Sequence, residues 1–243
     1  MVTTGWRLNV RELLTFFDEK PEGTRGHASA LVGMIGEELC MALLQRCLKD
    51  KHGYVASSVL MEDGKPVTPT LGGGVGPRLD RWLCATNEAG ERELFQIEIK
   101  NWSAHAIGGR RLALDATDER RVAVGRHYWG RIWDQDSGTL REESARKVLT
   151  RMQLPRAYHG INADVVPLIC FWWYVTNPQD DKPDSLFELQ LNNPSTDFKR
   201  LKIFSVSNYL RSLSGGTGDQ IEIDMPQAQQ RTAWMKRIFG SSL

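Results

Sequence analysis

From Gly76 to Lys100 the chain reads GPRLDRWLCATNEAGERELFQIEIK, and two runs within it, 78–86 and 93–100, alternate apolar and polar residues. Between them stands Asn87-Glu88-Ala89-Gly90, a polar segment ending in glycine that suits a four- or five-residue hairpin connection. Two antiparallel strands are therefore expected, and the strand period of two sorts their side chains. On the second strand Leu94, Gln96, Glu98 and Lys100 share one face, while Phe95, Ile97 and Ile99 share the other and point into a core. On the first, Arg78, Asp80, Trp82 and Cys84 share a face. If the pairing brings Asp80 beside Glu98 and Lys100, two carboxylates and an ammonium converge at one end of a sheet. That is costly unless a cation or a chemical task accounts for it.

A helix is expected upstream, over 27–51. At 100° per residue its two adjacent glutamates fall on different stripes. Glu38 aligns with His27, Gln45 and Lys49, as on a solvated face. Glu37 falls among Ala30, Met41, Leu44 and Leu48, where an ionised carboxylate is costly without a partner. Glu37 therefore needs a reason for its position. Gly33 and Gly36 weaken a helix and suggest its close approach to a sheet.

Asp80, followed eighteen positions later by Glu98-Ile99-Lys100 and preceded by a Glu-bearing helix, resembles the pattern of the PD-(D/E)xK phosphodiesterase superfamily. The residue before Asp80 is Leu79 rather than proline, and Pro77 lies three positions before the aspartate. The resemblance implies a restriction-endonuclease-like fold over about 25–207. It also implies a divalent metal, Mg²⁺ with Mn²⁺ able to substitute, held by Asp80 and Glu98 with the Ile99 carbonyl as a backbone ligand. Lys100 would orient and activate the attacking water, and Glu37 would project toward the metal. The implied activity is endonucleolytic hydrolysis of nucleic acid, DNA favoured, in anti-phage defence, restriction or repair, with a homodimer or a partner subunit supplying specificity. The alternative is a catalytically inactive nuclease-fold protein that binds nucleic acid or docks a partner. Replacing Asp80, Glu98 or Lys100 by alanine is expected to abolish cleavage while leaving folding nearly intact.

With 243 residues, 41% hydrophobic and 25% charged, the chain is long enough for one sizeable α/β core with decoration. The formal net charge of +1 gives no global pull toward polyanions, so any nucleic-acid surface must be a local patch. Its expected residues are Arg78, His105, Arg110, Arg111 and Lys147, the last four at or near a basic segment, 107–154, in which arginines interleave with Tyr128, Trp129 and Trp133. Cys40, Cys47, Cys84 and Cys170 stand singly in apolar stretches without CxxC spacing, which points to buried thiols in a reducing, cytoplasmic setting. No stretch reads as a signal sequence or a membrane span, so no membrane partner is expected.

The remaining pattern supplies the other elements. An amphipathic helix is expected over 6–20, a strand over 54–61, and a Gly/Pro-rich loop over 62–77 that would feed the Asp80 strand. A crossover helix is expected over 142–160, ending near Leu154-Pro155, before the most apolar run of the chain, 164–175. That run fits a strand buried on both faces, with Trp172, Trp173 and Tyr174 as packing residues. Strands over 186–191 and 201–206, a flexible connection over 212–218 and a helix opened by Pro226 complete the chain. The expected architecture is one α/β domain: an αβββαβ core with a central mixed sheet flanked by helices, a helical addition at 1–24 and another at 219–243.

Overall fold

A computed structural model describes residues 5–18, 25–72, 76–100, 112–113, 115–155, 158, 160–161, 163–192, 196–214 and 220–239. Strand β1 (Trp6–Asn9) leads into helix α1 (Val10–Asp18), and the long helix α2 (Arg25–His52) follows. Strand β2 (Val55–Ser58) precedes the hairpin of β3 (Arg81–Thr86) and β4 (Arg92–Lys100). Helix α3 (Asp118–Ile132), a small ribbon of β5 (Trp133–Asp134) and β6 (Thr139–Leu140), and a one-turn helix α4 (Glu143–Arg146) come next. A 3-10 turn (Lys147–Leu149) then leads to β7 (Asp164–Phe171). Strands β8 (Leu186–Gln190) and β9 (Arg200–Ser205), helix α5 (Val206–Leu213), strand β10 (Gln220–Ile223) and helix α6 (Pro226–Phe239) complete the described chain.

The protein is α/β, built on a mixed six-stranded sheet in the order β2-β3-β4-β7-β9-β8. The β4–β7 and β7–β9 pairs are parallel; β2–β3, β3–β4 and β8–β9 are antiparallel. Strands β4 and β7 therefore lie in the interior of the sheet, and both faces of each are covered. On β4 this buries Phe95, Ile97 and Ile99 as expected, and Leu94, Gln96 and Glu98 of the opposite face as well. Helix α2 contributes Leu39, Cys40, Leu43, Leu44, Cys47 and Leu48 to the core.

Local chemistry explains the hairpin. The Asn87 side-chain oxygen accepts from Glu91 N at 2.9 Å, Asn87 N donates to Glu91 O, and Gly90 takes the φ of +82° that the turn demands. Close approach explains another glycine. A Cβ on Gly125 of α3 would stand 2.4 Å from Thr176 Cγ2 and 2.9 Å from its amide nitrogen, so the absent side chain lets α3 lie against the segment after β7. That segment contains Trp172, Trp173 and Tyr174, all buried as packing residues. Three of the four cysteines are buried thiols and Cys84 is half-buried. Among the described residues, no helix is long and apolar enough to cross a membrane.

Several elements depart from the sequence expectation; β10 lies within 219–243, expected as a helical addition, and β7 ends at Phe171 rather than running to Val175. The stretch 6–20 is not helical throughout. Trp6, Leu8 and Val10 also repeat at the strand period, and residues 6–9 pair with β10 before the Asn9 side chain accepts from Glu12 N (3.0 Å) and starts α1. Among the described residues of 142–160, helix is confined to α4 and to 3-10 turns at Lys147–Leu149 and at Tyr158, because beyond Leu149 the backbone is drawn into bonds with Gln96 of β4 and with Thr70. The long helix between β4 and β7 is instead α3, within the basic segment. The connection expected over 212–218 begins later than expected, since Ser205 caps α5 by accepting from Asn208 N (3.1 Å) and the helix continues to Leu213.

Candidate functional site

The β3–β4 register places Arg81 opposite Ile97, and Asp80 N donates to Ile97 O at 2.9 Å, so Asp80 stands opposite Glu98 at the end of the hairpin. Asp80 Oδ2 accepts from Ile99 N at 2.6 Å. Glu98 is 3% exposed and meets two ammonium groups: Lys100 Nζ at 2.9 Å from Oε1 and Lys147 Nζ at 3.0 Å from Oε2. Lys100 also donates to Ser144 Oγ at 2.7 Å and lies 3.6 Å from Glu142 Oε1, which itself accepts from the Ser144 hydroxyl. The group sits at the carboxyl end of β4, beside parallel β7. That is the side of an open α/β sheet where ligands characteristically bind.

The electrostatics are strained in one direction. Burial, reinforced by the Asp80 carboxylate, pushes the Glu98 carboxyl above the usual range, and the two lysines only partly oppose this. Lys147 Nζ stands 3.0 Å from the buried Glu98 Oε2 and helps hold the carboxylate charged. A buried carboxylate held against two ammonium groups is a position where a more highly charged cation can compete.

Lys147 is held in place from beneath by Gln96, two residues before Glu98. The Gln96 side chain is fully buried; its Nε2 donates to Val148 O (2.6 Å) and Thr150 O (2.9 Å), and its Oε1 accepts from Met152 N (3.0 Å). One amide thus satisfies three backbone groups of the chain just after Lys147. In the sequence Gln96 was one polar residue among several on its strand, and the segment it binds lay more than fifty residues away.

The expected residues divide accordingly. Asp80, Glu98 and Lys100 come together, with the Ile99 amide bonded to Asp80. Lys147, expected on an open nucleic-acid surface, instead joins them as the second cation on Glu98, and Glu142 and Ser144 were not anticipated at all. Glu37 shares its stripe with Met41, Leu44 and Leu48, which are buried as expected, but it stands where Met34, one turn before it, is exposed; its own side chain is 48% exposed and ion-paired with Arg81 Nη2 at 3.1 Å. Arg81 Nη1 donates to Asp80 O (2.8 Å), so Glu37 reaches the site only through that arginine. Glu38, expected on a solvated face, accepts from Gln227 N (2.6 Å) and Ala228 N (2.7 Å) and caps α6. Arg78 is exposed at a bridge to Thr70, and His105, Arg110 and Arg111 lie outside the described residues.

Among the described residues, no three His, Cys, Asp or Glu side chains are arranged to hold a metal. The hard oxygen donors at this point are the two carboxylates of Asp80 and Glu98. Two carboxylates suit Mg²⁺, which keeps several of its waters and takes the rest of its shell from a substrate phosphate. Comparison with known protein families, with curated proteins and with solved structures gave no match for this chain.

Proposed function

We propose that this protein is a Mg²⁺-dependent phosphodiesterase of the PD-(D/E)xK kind, an endonuclease acting on nucleic acid with DNA favoured. The observation that carries this reading is the cluster itself: Asp80 and buried Glu98 side by side, with Lys100 and Lys147 on Glu98, at the carboxyl end of an interior strand. The element order supports it. Helix α2, strands β2, β3 and β4, helix α3 and strand β7 follow the expected αβββαβ sequence, with β7 parallel to β4.

In this reading Asp80 and Glu98 hold the metal, with the Ile99 carbonyl available as a backbone ligand. The bound ion supplies Lewis acidity toward the phosphate and lowers the pKa of a coordinated water. The protein's own groups do the rest. Lys100, anchored between Glu98 and Ser144, presents an ammonium that orients the nucleophilic water and offsets developing negative charge. Lys147, 3.0 Å from Glu98 Oε2, would be the group placed to contact the scissile phosphate if a metal held by Asp80 and Glu98 took over the Glu98 charge. Glu37 steadies Arg81 and through it the backbone at Asp80, acting as a positioning residue. A cytoplasmic role in anti-phage defence, restriction or repair fits this chemistry, with a second copy or a partner subunit completing specificity.

A second reading is favoured by one observation: both Glu98 oxygens already face lysines, which occupy the positions a metal would take. In this case the protein is an inactive nuclease-fold binder or accessory subunit. The deciding experiment is cleavage of supercoiled plasmid and of single-stranded oligonucleotides, with Mg²⁺ or Mn²⁺ against EDTA, wild type beside Lys100→Ala. Metal-dependent nicking that disappears in the variant is the expected result. A folded wild type that cleaves under neither metal overturns the nuclease reading in favour of the binder.

A further inference from the structure

We propose that the pocket at the carboxyl end of α3 holds one unpaired nucleobase of the strand presented to the Asp80–Glu98 site. This deepens the nucleic-acid reading above and rests on it. The pocket has a volume of about 390 Å³, within the range of small-ligand sites, and its floor is aromatic. Trp129 and Trp133 stack at 5.9 Å between ring centroids with planes 15° apart. Trp129 is buried beneath, while Trp133 is only half-buried, so Trp133 is the outer ring of the stack and offers π surface to a further ring. Bases stack on such platforms whatever their identity, because each has a π face.

The walls supply the rest of a nucleotide's complement. Gln135, Asp136 and Thr176 carry donors and acceptors for a base edge. Arg126 and Arg141 stand at the rim with more than half of each side chain exposed. Both are fixed in place. Asp181 grips Arg126 through two bonds, Nε to Oδ1 at 2.7 Å and Nη2 to Oδ2 at 2.5 Å, and Arg141 Nε donates to Gly130 O at 2.8 Å. An immobilised guanidinium at the mouth of an aromatic slot suits the phosphate attached to a stacked base.

Chain geometry ties the pocket to the cluster. Arg141 lines the pocket, and its neighbour Glu142 lies 3.6 Å from Lys100. Consecutive Cα atoms are about 3.8 Å apart, so the two features are carried by adjacent residues and a strand crossing the cluster has the pocket within a few nucleotides. The base in the pocket must be unpaired, since a stacked, slot-bound ring leaves no room for its complement.

Gly130 provides the test. It lines the pocket from an exposed helical position where an added Cβ meets nothing within 4 Å, so Gly130→Leu fills the slot without forcing the fold. Trp133→Ala removes the platform directly. Binding of a fluorescein-labelled single-stranded oligodeoxynucleotide is measured by anisotropy in EDTA, with circular dichroism to confirm folding. Each variant is expected to weaken binding on the order of tenfold, the loss of one base–aromatic stack. An abasic residue walked along the oligonucleotide should reproduce that loss at one position with wild type and add nothing with Gly130→Leu. Binding by folded Gly130→Leu within about twofold of wild type overturns the proposal, as does wild type that binds no oligonucleotide. Cleavage is scored separately. Cleavage by wild type with unchanged binding by Gly130→Leu refutes the pocket and leaves the nuclease. Lost binding by Gly130→Leu without cleavage by wild type keeps the pocket and refutes the nuclease.

Discussion

Replacing Gln96 by methionine tests the link between the sheet and the turn that carries Lys147. The two side chains are similar in length and volume, so the change removes hydrogen bonding while nearly preserving packing. Three backbone groups lose their partner: Val148 O, Thr150 O and Met152 N. The bonds to Val148 O and Met152 N are buried, whereas the one to Thr150 O is only partly so and its carbonyl can turn to water. A buried group left without a partner costs about 1–3 kcal/mol. Two such groups at the lower half of that range give about 3 kcal/mol. With a urea dependence of about 2–3 kcal/mol per M, the unfolding midpoint should fall by roughly 1 M at unchanged slope. The assay is equilibrium urea unfolding followed by tryptophan fluorescence and circular dichroism. If the midpoint moves by less than about 0.2 M, the three bonds do not anchor the turn and the argument that Gln96 places Lys147 fails.

Glu38→Ala strips both acceptors from the first turn of α6 and should cost about 1–2 kcal/mol, read as faster hydrogen exchange at the Gln227 and Ala228 amides than in wild type. Burial pushes the Cys47 thiol up to about 12, so it stays protonated at neutral pH. Native protein at pH 8 should therefore leave Cys47 unlabelled by a thiol reagent, while denatured protein exposes all four cysteines. The raised value also sets the sign of the alkaline response. The unfolded thiol ionises from its ordinary range upward and the folded one does not, so this contribution to stability is intact below about pH 8.5 and is lost as pH rises toward 12. Thermal unfolding of Cys47→Ala across that interval should decline less steeply than that of wild type.

The features legible in the sequence were those written in neighbouring residues. The Asn87–Gly90 turn carries its own hydrogen bonds, the apolar run of β7 needs no context to be read as an interior strand, and the spacing between Asp80 and Glu98 follows from the hairpin register alone. Asp80, Glu98 and Lys100 were therefore found together. Glu38 was misassigned to a solvated face, and the arginine beside Glu37 was missed, because helical periodicity ranks faces without saying what lies opposite. Arg81 and the amides of α6 decided those two roles, the latter from nearly two hundred residues away. Lys147, Glu142 and Ser144 join the site through a loop whose course is set by Gln96, and no local pattern encodes that. The strand β1 was concealed in the same way, since Trp6 lies on a helical stripe with Val10, Leu13 and Phe17 as well as on a strand face with Leu8, and only β10 resolves it.

That β1–β10 ribbon also imposes a schedule on synthesis. Leu8 pairs with Ile221, more than two hundred residues later, so β1 leaves the ribosome long before its partner strand. At ~5–20 residues per second the interval is roughly ten to forty seconds. The six-stranded sheet has all its strands in hand before then, because none of them lies beyond Ser205. The ribbon can therefore close only after every strand of the sheet is available, and until then a short strand carrying a tryptophan and a leucine has no strand partner.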